Sequence, residues 1–468
     1  MSTSPLAPGL VTLLLASLCP GCDRAQTDSP AEVRERPATG SNVIVGVEVG
    51  GQFAPLGVID QRMLRWSPGE SPELHGADGH CTAGVDDTAA VQAFLDAVRD
   101  GGQGSWNGCY NVRPGSLRLS PSPQAPLVTG GGFKTFAAPQ ISGRATFVAA
   151  GMGSGAMLTI ANPPQNSGNG SLYAGGSMVD LVFRDTGAET GTRRDGLTIQ
   201  GVLGWSFGQI LGQSLSGSAV TISYATVRGD PDAYDAAANQ FRAIVCNTCG
   251  NVALDAGSLG EAGNEIGLLA AYGRGAREVS GANGPLLDAG QNTRVQLLSA
   301  EYTRGWGIVF GNARDHGNRQ RVTGIELDAV ERGIWVGALL QSTISGRVIY
   351  DQIPGLGATW PTVALKLGGM NAQVRDVNVD LVLRIDPGTN PSHPGLIDLS
   401  NDPNLIDDRI NLTVLDSSSA NLVPASAPES WLDNLVTGLN PRAKLKIRVN
   451  GRLIYDSEDG PGDRKSVV

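Results

Sequence analysis

The sequence is poor in aromatic residues, in charged residues and in long apolar runs. Aromatic residues make up 5% of the chain and charged residues 17%. Asp and Glu (45) outnumber Lys and Arg (35), for a net charge of −10. This excess argues against nucleic acid as a partner, because phosphate binding depends on Lys and Arg. The apolar run at residues 10–18 is too short to cross a bilayer, so no transmembrane span is predicted.

Glycine is abundant, with 64 residues. This composition suits many short strands joined by tight turns better than it suits a helical bundle. A chain of 468 residues is long for one compact domain. A solenoid escapes that limit, because each coil buries its apolar residues against its neighbours. We therefore predict an all-β chain.

The N-terminus has the pattern of an export signal. The apolar run at residues 10–18 has the length of a signal-peptide core, and Cys19 and Cys22 follow it at once, as in a bacterial lipoprotein signal. Residues 1–22 are predicted to be a signal peptide, either of the lipoprotein type or plainly cleaved. Residues 23–42 are polar and predict a flexible linker. The expected location is extracytoplasmic, either secreted or anchored at the surface by a lipid.

Residues 76–119 contain the most specific pattern. They read GADGHCTAGVDDTAAVQAFLDAV, then a Gly-rich stretch, then YNVRPGSLRL. Asp86 or Asp87 can cap a helix that runs from residue 87 to about 98. Its apolar side chains share one face and can cover the open end of stacked strands. They are Val91, Phe94, Leu95 and Val98.

This segment resembles the N-terminal capping unit of the pectate-lyase superfamily and of phage tailspike β-helices. The resemblance implies a single-stranded right-handed parallel β-helix with a short capping helix. Members of the superfamily include lyases, hydrolases, epimerases and binding proteins. No catalytic motif of the superfamily matches this chain, so the resemblance predicts the fold and not the reaction.

Apolar residues with two-residue alternation recur at a nearly regular interval, as expected for the coils of a solenoid. One register is predicted to form a single inward column of Leu197, Val220, Ile244, Ile266, Ile308 and Ile334. A second register interleaves with it at Leu181, Leu254, Leu297, Leu327, Val379 and Val414.

The domain prediction follows from these patterns. It comprises an N-terminal strand and capping unit at 43–130, a parallel β-helix at 131–440, a C-terminal hairpin at 441–456 and a disordered tail at 457–468. Asn450-Gly451 is the expected hairpin turn. Cys81 and Cys109 could bridge around the capping helix, and Cys246 and Cys249 could close a small loop. The sequence leaves these pairings open.

Charged loop residues suggest two different reactions. Glycoside hydrolysis needs two carboxylates, and Glu301 is a candidate together with Asp230, Asp232 and Glu261. Uronate elimination needs cations and a base, and residues 312–321 offer His316 for proton transfer with Arg319 beside it. The predicted substrate-binding residues are Arg277, Arg294, Arg314, Arg321 and Trp306. The same charges could instead form a solvated surface.

The predicted partner is a polysaccharide, which the Arg residues suggest is anionic. The spacing of Asp230, Asp232 and Asp235 allows a calcium site, and no other cofactor is predicted. The alternative is a non-catalytic surface or adhesion β-helix that binds glycans, which the missing catalytic motifs and the low aromatic content favour. The aromatic residues that could line a sugar cleft are Trp205, Trp306, Trp335 and Trp360.

Overall fold

The structure is a computed structural model in which the chain divides into two compact units, Met1–Gly69 and Glu70–Val468. It describes residues 32–37, 42–49, 52–60, 69–125, 127–130, 133–162, 171–185, 192–223, 236–250, 254–256, 261–272, 286–288, 294–301, 306–310, 317–318, 321–328, 330–352, 359–360, 363–369, 373–386, 397–399, 403–417, 436–438 and 443–459. Within these ranges no helix is both long and apolar enough to cross a membrane.

The first unit contains a three-stranded antiparallel sheet of Glu32–Pro37, Asn42–Val49 and Gln52–Asp60. Residues 32–37 were predicted to belong to a flexible linker, and this prediction is corrected here. They pair along their whole length with the strand Asn42–Val49. The apolar strand Asn42–Val49 supplies backbone hydrogen-bond partners to residues 32–37, which have no apolar pattern of their own.

The second unit is built from parallel sheets. The largest, called the wide sheet, has 16 described strands: Gln103–Trp106, Cys109–Val112, Gln140–Ala149, Ser177–Arg184, Ser206–Gln213, Gln240–Asn247, Glu265–Tyr272, Arg294–Glu301, Arg321–Val322, Ile325–Asp328, Thr343–Gln352, Thr359–Trp360, Asn378–Ile385, Asp408–Asp416, Ala443–Val449 and Arg452–Asp456. All pair in parallel except Thr359–Trp360 and Arg452–Asp456, which are antiparallel to their neighbours.

The second sheet has 11 described strands: Leu117–Leu119, Gly155–Ala161, Arg194–Gln200, Val220–Ser223, Leu254–Ala256, Leu286–Asp288, Trp306–Phe310, Arg332–Val336, Val363–Leu367, Ile397–Asp398 and Val436–Thr437. Two narrower sheets comprise Leu127–Gly130, Phe133–Ala137, Ser171–Ala174, Val202–Leu203, Ala236–Ala237 and Glu261–Ala262, and then Gly317–Asn318, Leu339–Leu340, Val374–Arg375 and Leu405–Ile406. Parallel neighbours in each sheet are about one repeat apart in the chain, whereas Leu127–Gly130 with Phe133–Ala137 forms an antiparallel hairpin. The fold is therefore all-β and mostly parallel, an arrangement compatible with a β-helix.

The predicted inward column is correct at four of its positions and wrong at two. Leu197 pairs with Val220, and Ile308 with Ile334, all in the second sheet. Ile244 and Ile266 instead lie in the wide sheet, and Leu254 and Leu286 take the second-sheet positions of those repeats. The second sheet shrinks there to three-residue strands, too short to display the alternation on which the prediction depended.

Inward residues of the wide sheet change their spacing from its earlier to its later strands. In the earlier repeats two buried residues are three positions apart: Met178 and Leu181, Phe207 and Ile210, Phe241 and Ile244, Ile266 and Leu269, Val295 and Leu298, Val322 and Ile325. In the later repeats they are two positions apart: Val379 and Leu381, Ile410 and Leu412, Leu445 and Ile447. The extra residue acts as a stacked bulge. The bulge ends at the strand Thr343–Gln352, and we call this place in the wide sheet the step.

An α-helix at Thr88–Val98 packs against the first strands of the second unit. Its buried residues are the four predicted from the sequence, Val91, Phe94, Leu95 and Val98. Asp86 Oδ1 accepts a hydrogen bond from Thr88 N (3.1 Å), whereas the buried Asp87 carboxylate accepts from Asp78 N (2.7 Å) and Asn111 N (2.9 Å). Asp86 therefore closes a turn just before the helix, and the N-cap residue Asp87 does not cap the helix with its side chain but joins it to the adjoining loop and strand.

The four cysteines of the second unit form two disulfides. Cys81 and Cys109 are bonded, with Cα atoms 5.0 Å apart, and join the loop before the helix to a wide-sheet strand. Cys246 and Cys249 are bonded at the end of the strand Gln240–Asn247, with Cα atoms 5.9 Å apart. Both Cys246 and Cys249 are buried, which indicates a structural role.

The C-terminal strands Ala443–Val449 and Arg452–Asp456 form a hairpin that turns at Asn450-Gly451. The tail was predicted to be disordered from residue 457, but Ser457–Asp459 form a 3₁₀ turn. Ser457 Oγ accepts a hydrogen bond from Leu445 N (2.8 Å), and Glu458 pairs with Lys444 (2.8 Å). These contacts explain why the ordered structure continues beyond the hairpin.

Candidate functional site

The outward face of the wide sheet contains an open concavity at the step, with a volume of about 580 Å³. We call it the step concavity. Its lining comprises Leu297, Gly324, Ile325, Glu326, Ser345, Gly346, Arg347, Asp380, Val382, Arg384 and Leu415. A side chain at Gly346 would overlap Ile325. The glycine therefore permits the close strand approach at this point.

The charged side chains of the step concavity have partners of their own. Glu326 forms an ion pair with Arg347 on the next strand. Arg384 Nε donates to Asp386 Oδ1 (2.6 Å), and Asp380 Oδ1 accepts from Asn411 Nδ2 (2.8 Å). The lining thus combines four aliphatic side chains with charges of both signs.

Two carboxylates stand side by side at the end of the strands that flank this concavity. Glu301 pairs in register with Asp328, and both alternate with inward residues, Ala300 and Leu327. The same outward row continues through Ile349 to Arg384, which lines the concavity. The backbones of neighbouring strands are about 4.8 Å apart, so side chains at a shared register position can bring their carboxyl groups to the ~5–9.5 Å used in glycoside hydrolysis.

Glu301 was predicted from the sequence and Asp328 was not. The two residues are separated by a complete repeat, and only the register shows that they face each other. The sequence did contain a signal, because Glu301 and Asp328 each follow the alternating apolar residues of their own repeat. The incorrect assignment of strands to registers concealed this correspondence. Of the other carboxylates predicted from the sequence, Glu261 has a described position. It belongs to a narrow sheet and does not pair in register with Glu301.

The predicted basic residues divide into two groups. Arg294 and Arg321 are exposed register partners on adjacent wide-sheet strands, and Arg294 pairs with Glu265 (Nη1–Oε1 3.3 Å). They lie at the opposite end of the strand from Glu301, about 20 Å away at ~3.3 Å per residue. The structure therefore does not bring them to the carboxylate pair. The remaining predicted site residues, Arg277, Arg314, His316, Arg319, Asp230, Asp232 and Asp235, lie outside the described residues.

The tryptophans do not line the step concavity. Trp306, predicted to bind substrate, belongs to the second sheet and is only 5% exposed, with its ring centroid 5.5 Å from that of Trp335. Trp205 is buried and donates from Nε1 to the Tyr173 carbonyl (3.0 Å). The side chain of Trp360 lies outside the described part. Trp205 and Trp306 were named as side chains that could line a sugar cleft, and both rings pack against other aromatic side chains, Phe207 and Trp335.

A buried ion pair joins the end of a wide-sheet strand to the start of a second-sheet strand. Arg194 donates from Nη1 to Asp185 Oδ1 (3.0 Å), and each side chain is 3% exposed. The guanidinium also donates to the carbonyls of Gly153 (2.9 Å) and Gly151 (3.0 Å), one repeat earlier. This network fixes adjacent repeats to each other and is structural, since its donors face backbone carbonyls.

Buried polar side chains also mark the turns into the wide sheet. Ala238 and Asp407 adopt the left-handed conformation (φ 54° and 56°), and a buried Asn239 or Asp408 follows. Asp408 accepts from Val377 N (Oδ1, 3.0 Å) and Ile406 N (Oδ2, 3.2 Å). Burial nevertheless raises the pKa of Asp408 to about 7. Asp408 is thus the described carboxylate with the clearest perturbation, but it faces the turn and not the concavity.

No family model and no curated protein matches this chain. Two solved structures show similarity in fold. One is ORF18 of Geobacillus virus E2, at 9% identity and a TM-score of 0.42, covering 88% of this chain and 69% of that one. The other is the catalytic unit of a thermostable GH87 α-1,3-glucanase from Streptomyces thermodiastaticus strain HF3-3, at 13% identity and a TM-score of 0.35. The match covers 76% of this chain and 64% of the glucanase chain.

Proposed function

We propose that this chain is an exported right-handed parallel β-helix that binds a polysaccharide on the outward face of the wide sheet and hydrolyses it with Glu301 and Asp328. The observation that carries the proposal is the register pairing of these two carboxylates beside an open concavity. Hydrolysis of a glycosidic bond needs such a pair, one as acid and the other as nucleophile or base.

The roles of the two carboxylates follow from this chemistry. One carboxylic acid protonates the glycosidic oxygen as the bond to the anomeric carbon breaks. The other carboxylate either attacks the anomeric carbon, forming a glycosyl-enzyme bond that water then hydrolyses, or removes a proton from the water that attacks this carbon directly. The step concavity, which begins on the same two strands and extends across the strands that follow, holds the sugar on one side of the glycosidic bond.

A glycan-binding protein without hydrolytic activity is the second candidate. It is favoured by cross-strand ion pairs over the outward face, such as Asp180 with Arg242 (2.9 Å) and Glu265 with Arg294 (3.3 Å). Such pairs hold a surface in one conformation, which suits binding. Elimination by His316 and Arg319 remains a prediction on residues outside the described ranges.

The test uses the full chain with a panel of neutral and acidic polysaccharides. Binding and the release of reducing ends are measured for the wild type, Glu301→Gln and Asp328→Asn. Glu265→Gln, an exposed carboxylate of the same sheet face at the other strand end, is the matched control. We expect each site variant to lose hydrolysis by about 100-fold or more while still binding, and the control to retain it.

Other outcomes separate the candidates. Binding without any product supports the non-catalytic reading, and an unsaturated product from a uronate polymer supports elimination. Absence of binding to every polysaccharide would overturn both the hydrolytic and the glycan-binding proposals.

A further inference from the structure

Among the described parallel strands of the wide sheet, Tyr272 is the aromatic residue that solvent reaches. It ends the strand Glu265–Tyr272 and is only partly buried. The other described aromatic residues of these strands are buried: Trp106, Tyr110, Phe147, Phe183, Phe207, Phe241 and Tyr350. Aromatic residues make up 5% of the chain, and packing takes up almost all of those in this sheet. A ring left accessible on the sheet surface therefore indicates a contact surface.

Tyr272 lies on the outward face of the wide sheet. The residue before it, Ala271, packs against the main core, whereas Tyr272 packs against a separate apolar cluster of Ala243, Val245 and Ala270. Successive residues of a strand point to opposite faces, so this cluster and Tyr272 share the face opposite the core. The cluster supports the tyrosine side chain, and the rest of that side chain stays accessible.

The strand register places Tyr272 beside the carboxylate pair. Tyr272 pairs with Glu301, and Glu301 pairs with Asp328, so the three residues form one outward row on three successive strands. The backbones of neighbouring strands are about 4.8 Å apart, and a sugar bound at the pair lies within reach of the tyrosine ring. Arg384 of the step concavity belongs to the same row on the other side of the pair. Tyr272 and the step concavity therefore flank the two carboxylates.

The row continues beyond Tyr272 with uncharged side chains. Asn247 pairs with Tyr272, and Gln213 pairs with Asn247. Asn247 is exposed, and its amide can donate a hydrogen bond to one sugar hydroxyl and accept one from another. The lining of the step concavity, by contrast, contains charges of both signs. An aromatic ring followed by amides suits a sugar that has no charge.

We propose that Tyr272 is the platform for an uncharged sugar unit on the side of the glycosidic bond opposite the step concavity, an inference that rests on the proposed function. The ring packs against the C–H groups of this sugar, which removes apolar surface of both partners from water. Asn247 hydrogen-bonds to hydroxyl groups of the next sugar along the row. Tyr272 contributes binding, while bond cleavage belongs to Glu301 and Asp328.

Substitutions at Tyr272 separate an aromatic platform from other roles. The probes are dextran, laminarin, hydroxyethylcellulose and polygalacturonate, with binding to the full chain measured by calorimetry and hydrolysis by release of reducing ends. Tyr272→Ala and Tyr272→Leu should each weaken binding of the neutral polymer that the wild type binds by about tenfold. KM should rise by a similar factor with kcat little changed, because the contact is made equally in the ground state and the transition state. Tyr272→Phe keeps the ring and should bind within about twofold of the wild type.

Two comparisons control for indirect effects. Tyr272→Leu keeps an apolar side chain over Ala270, so its loss of binding is not a consequence of an uncovered cluster, and urea unfolding of each variant checks the fold. Val179→Ala changes an exposed outward residue three strands away, outside the row of Tyr272. This control should leave both binding and hydrolysis unchanged.

Three results would overturn the platform and leave the proposed polysaccharide function standing. Unchanged binding in Tyr272→Leu would show that a flat ring is not needed, and a loss in Tyr272→Phe as large as in Tyr272→Ala would assign the contact to the hydroxyl group. Binding of polygalacturonate alone would contradict an uncharged sugar at this position. If the wild type neither binds nor cleaves any of the four polymers, the proposed function fails together with the inference.

Discussion

Glu301 and Asp328 face outward at the same register position of two neighbouring parallel strands. The residues that precede them in the chain, Ala300 and Leu327, are buried in the core. The alternation of the backbone therefore fixes the side of the sheet on which both carboxylates lie. A row of the wide sheet then leads from this pair to the step concavity. The spacing of the pair is therefore a property of the sheet and not of flexible loops.

This spacing predicts the stereochemistry of hydrolysis. The backbones of adjacent parallel strands are about 4.8 Å apart, so carboxyl groups on side chains that extend in parallel reach the ~5–5.5 Å of retaining enzymes more readily than the ~6.5–9.5 Å of inverting ones. We expect the first product to keep the anomeric configuration of the substrate, as followed by proton NMR in the first minutes of reaction. Inversion would assign one of the two roles to another carboxylate.

Gly346 is predicted to be essential to the step. Its added methyl group in Gly346→Ala would overlap Ile325, and overpacking of this kind costs about 1–3 kcal/mol. Urea unfolding should show this loss, whereas Ser345→Ala, at the partly exposed neighbouring position, should change the free energy of unfolding by less than about 0.5 kcal/mol. Equal effects from the two variants would contradict close packing at the step.

Arg194→Met should destabilise the protein strongly, because it leaves Asp185 charged and buried without its cation. Breaking a buried pair in this way costs about 3–5 kcal/mol. Arg242→Met is the matched control: Arg242 and its partner Asp180 (2.9 Å) are both accessible to solvent, so its loss should cost at most about 1 kcal/mol. Adding Asp185→Asn to Arg194→Met should recover part of the stability, measured in the same urea titrations.

Asp408 should make stability depend on pH. Its folded-state pKa of about 7 lies above the ordinary value of about 3.9, so the folded state binds more protons between these values. Its contribution to the free energy of unfolding is fully present at low pH, falls as pH rises from about 4 to 7, and is constant above that. Asp408→Asn removes this titration.

The measurement is the difference in free energy of unfolding between wild type and Asp408→Asn across this pH range. The amide cannot accept from Ile406 N with its NH₂ group, which shifts the difference by a constant amount. The difference should nevertheless decrease with rising pH up to about 7. A difference that does not change with pH would show that Asp408 keeps an ordinary pKa.

Much of the fold could be read from local patterns. The helix Thr88–Val98 buries the four side chains that its apolar spacing predicted. The repeats whose strands alternate at two-residue spacing, such as those of Ile308 and Ile334, were placed correctly. Ile244 and Ile266 were placed in the wrong sheet, since one extra outward residue per wide-sheet strand breaks simple alternation.

The sequence by itself determined the all-β character, the capping helix and the presence of a repeat, because these depend on residues close together in the chain. Only the tertiary structure decided that Glu301 meets Asp328, that Arg294 and Arg321 stand at the other strand end, and that Trp306 is packed away. The physical reason is register. Which residues face each other across parallel strands depends on the length of every intervening turn, and a change of one residue moves a side chain to the other face of the sheet.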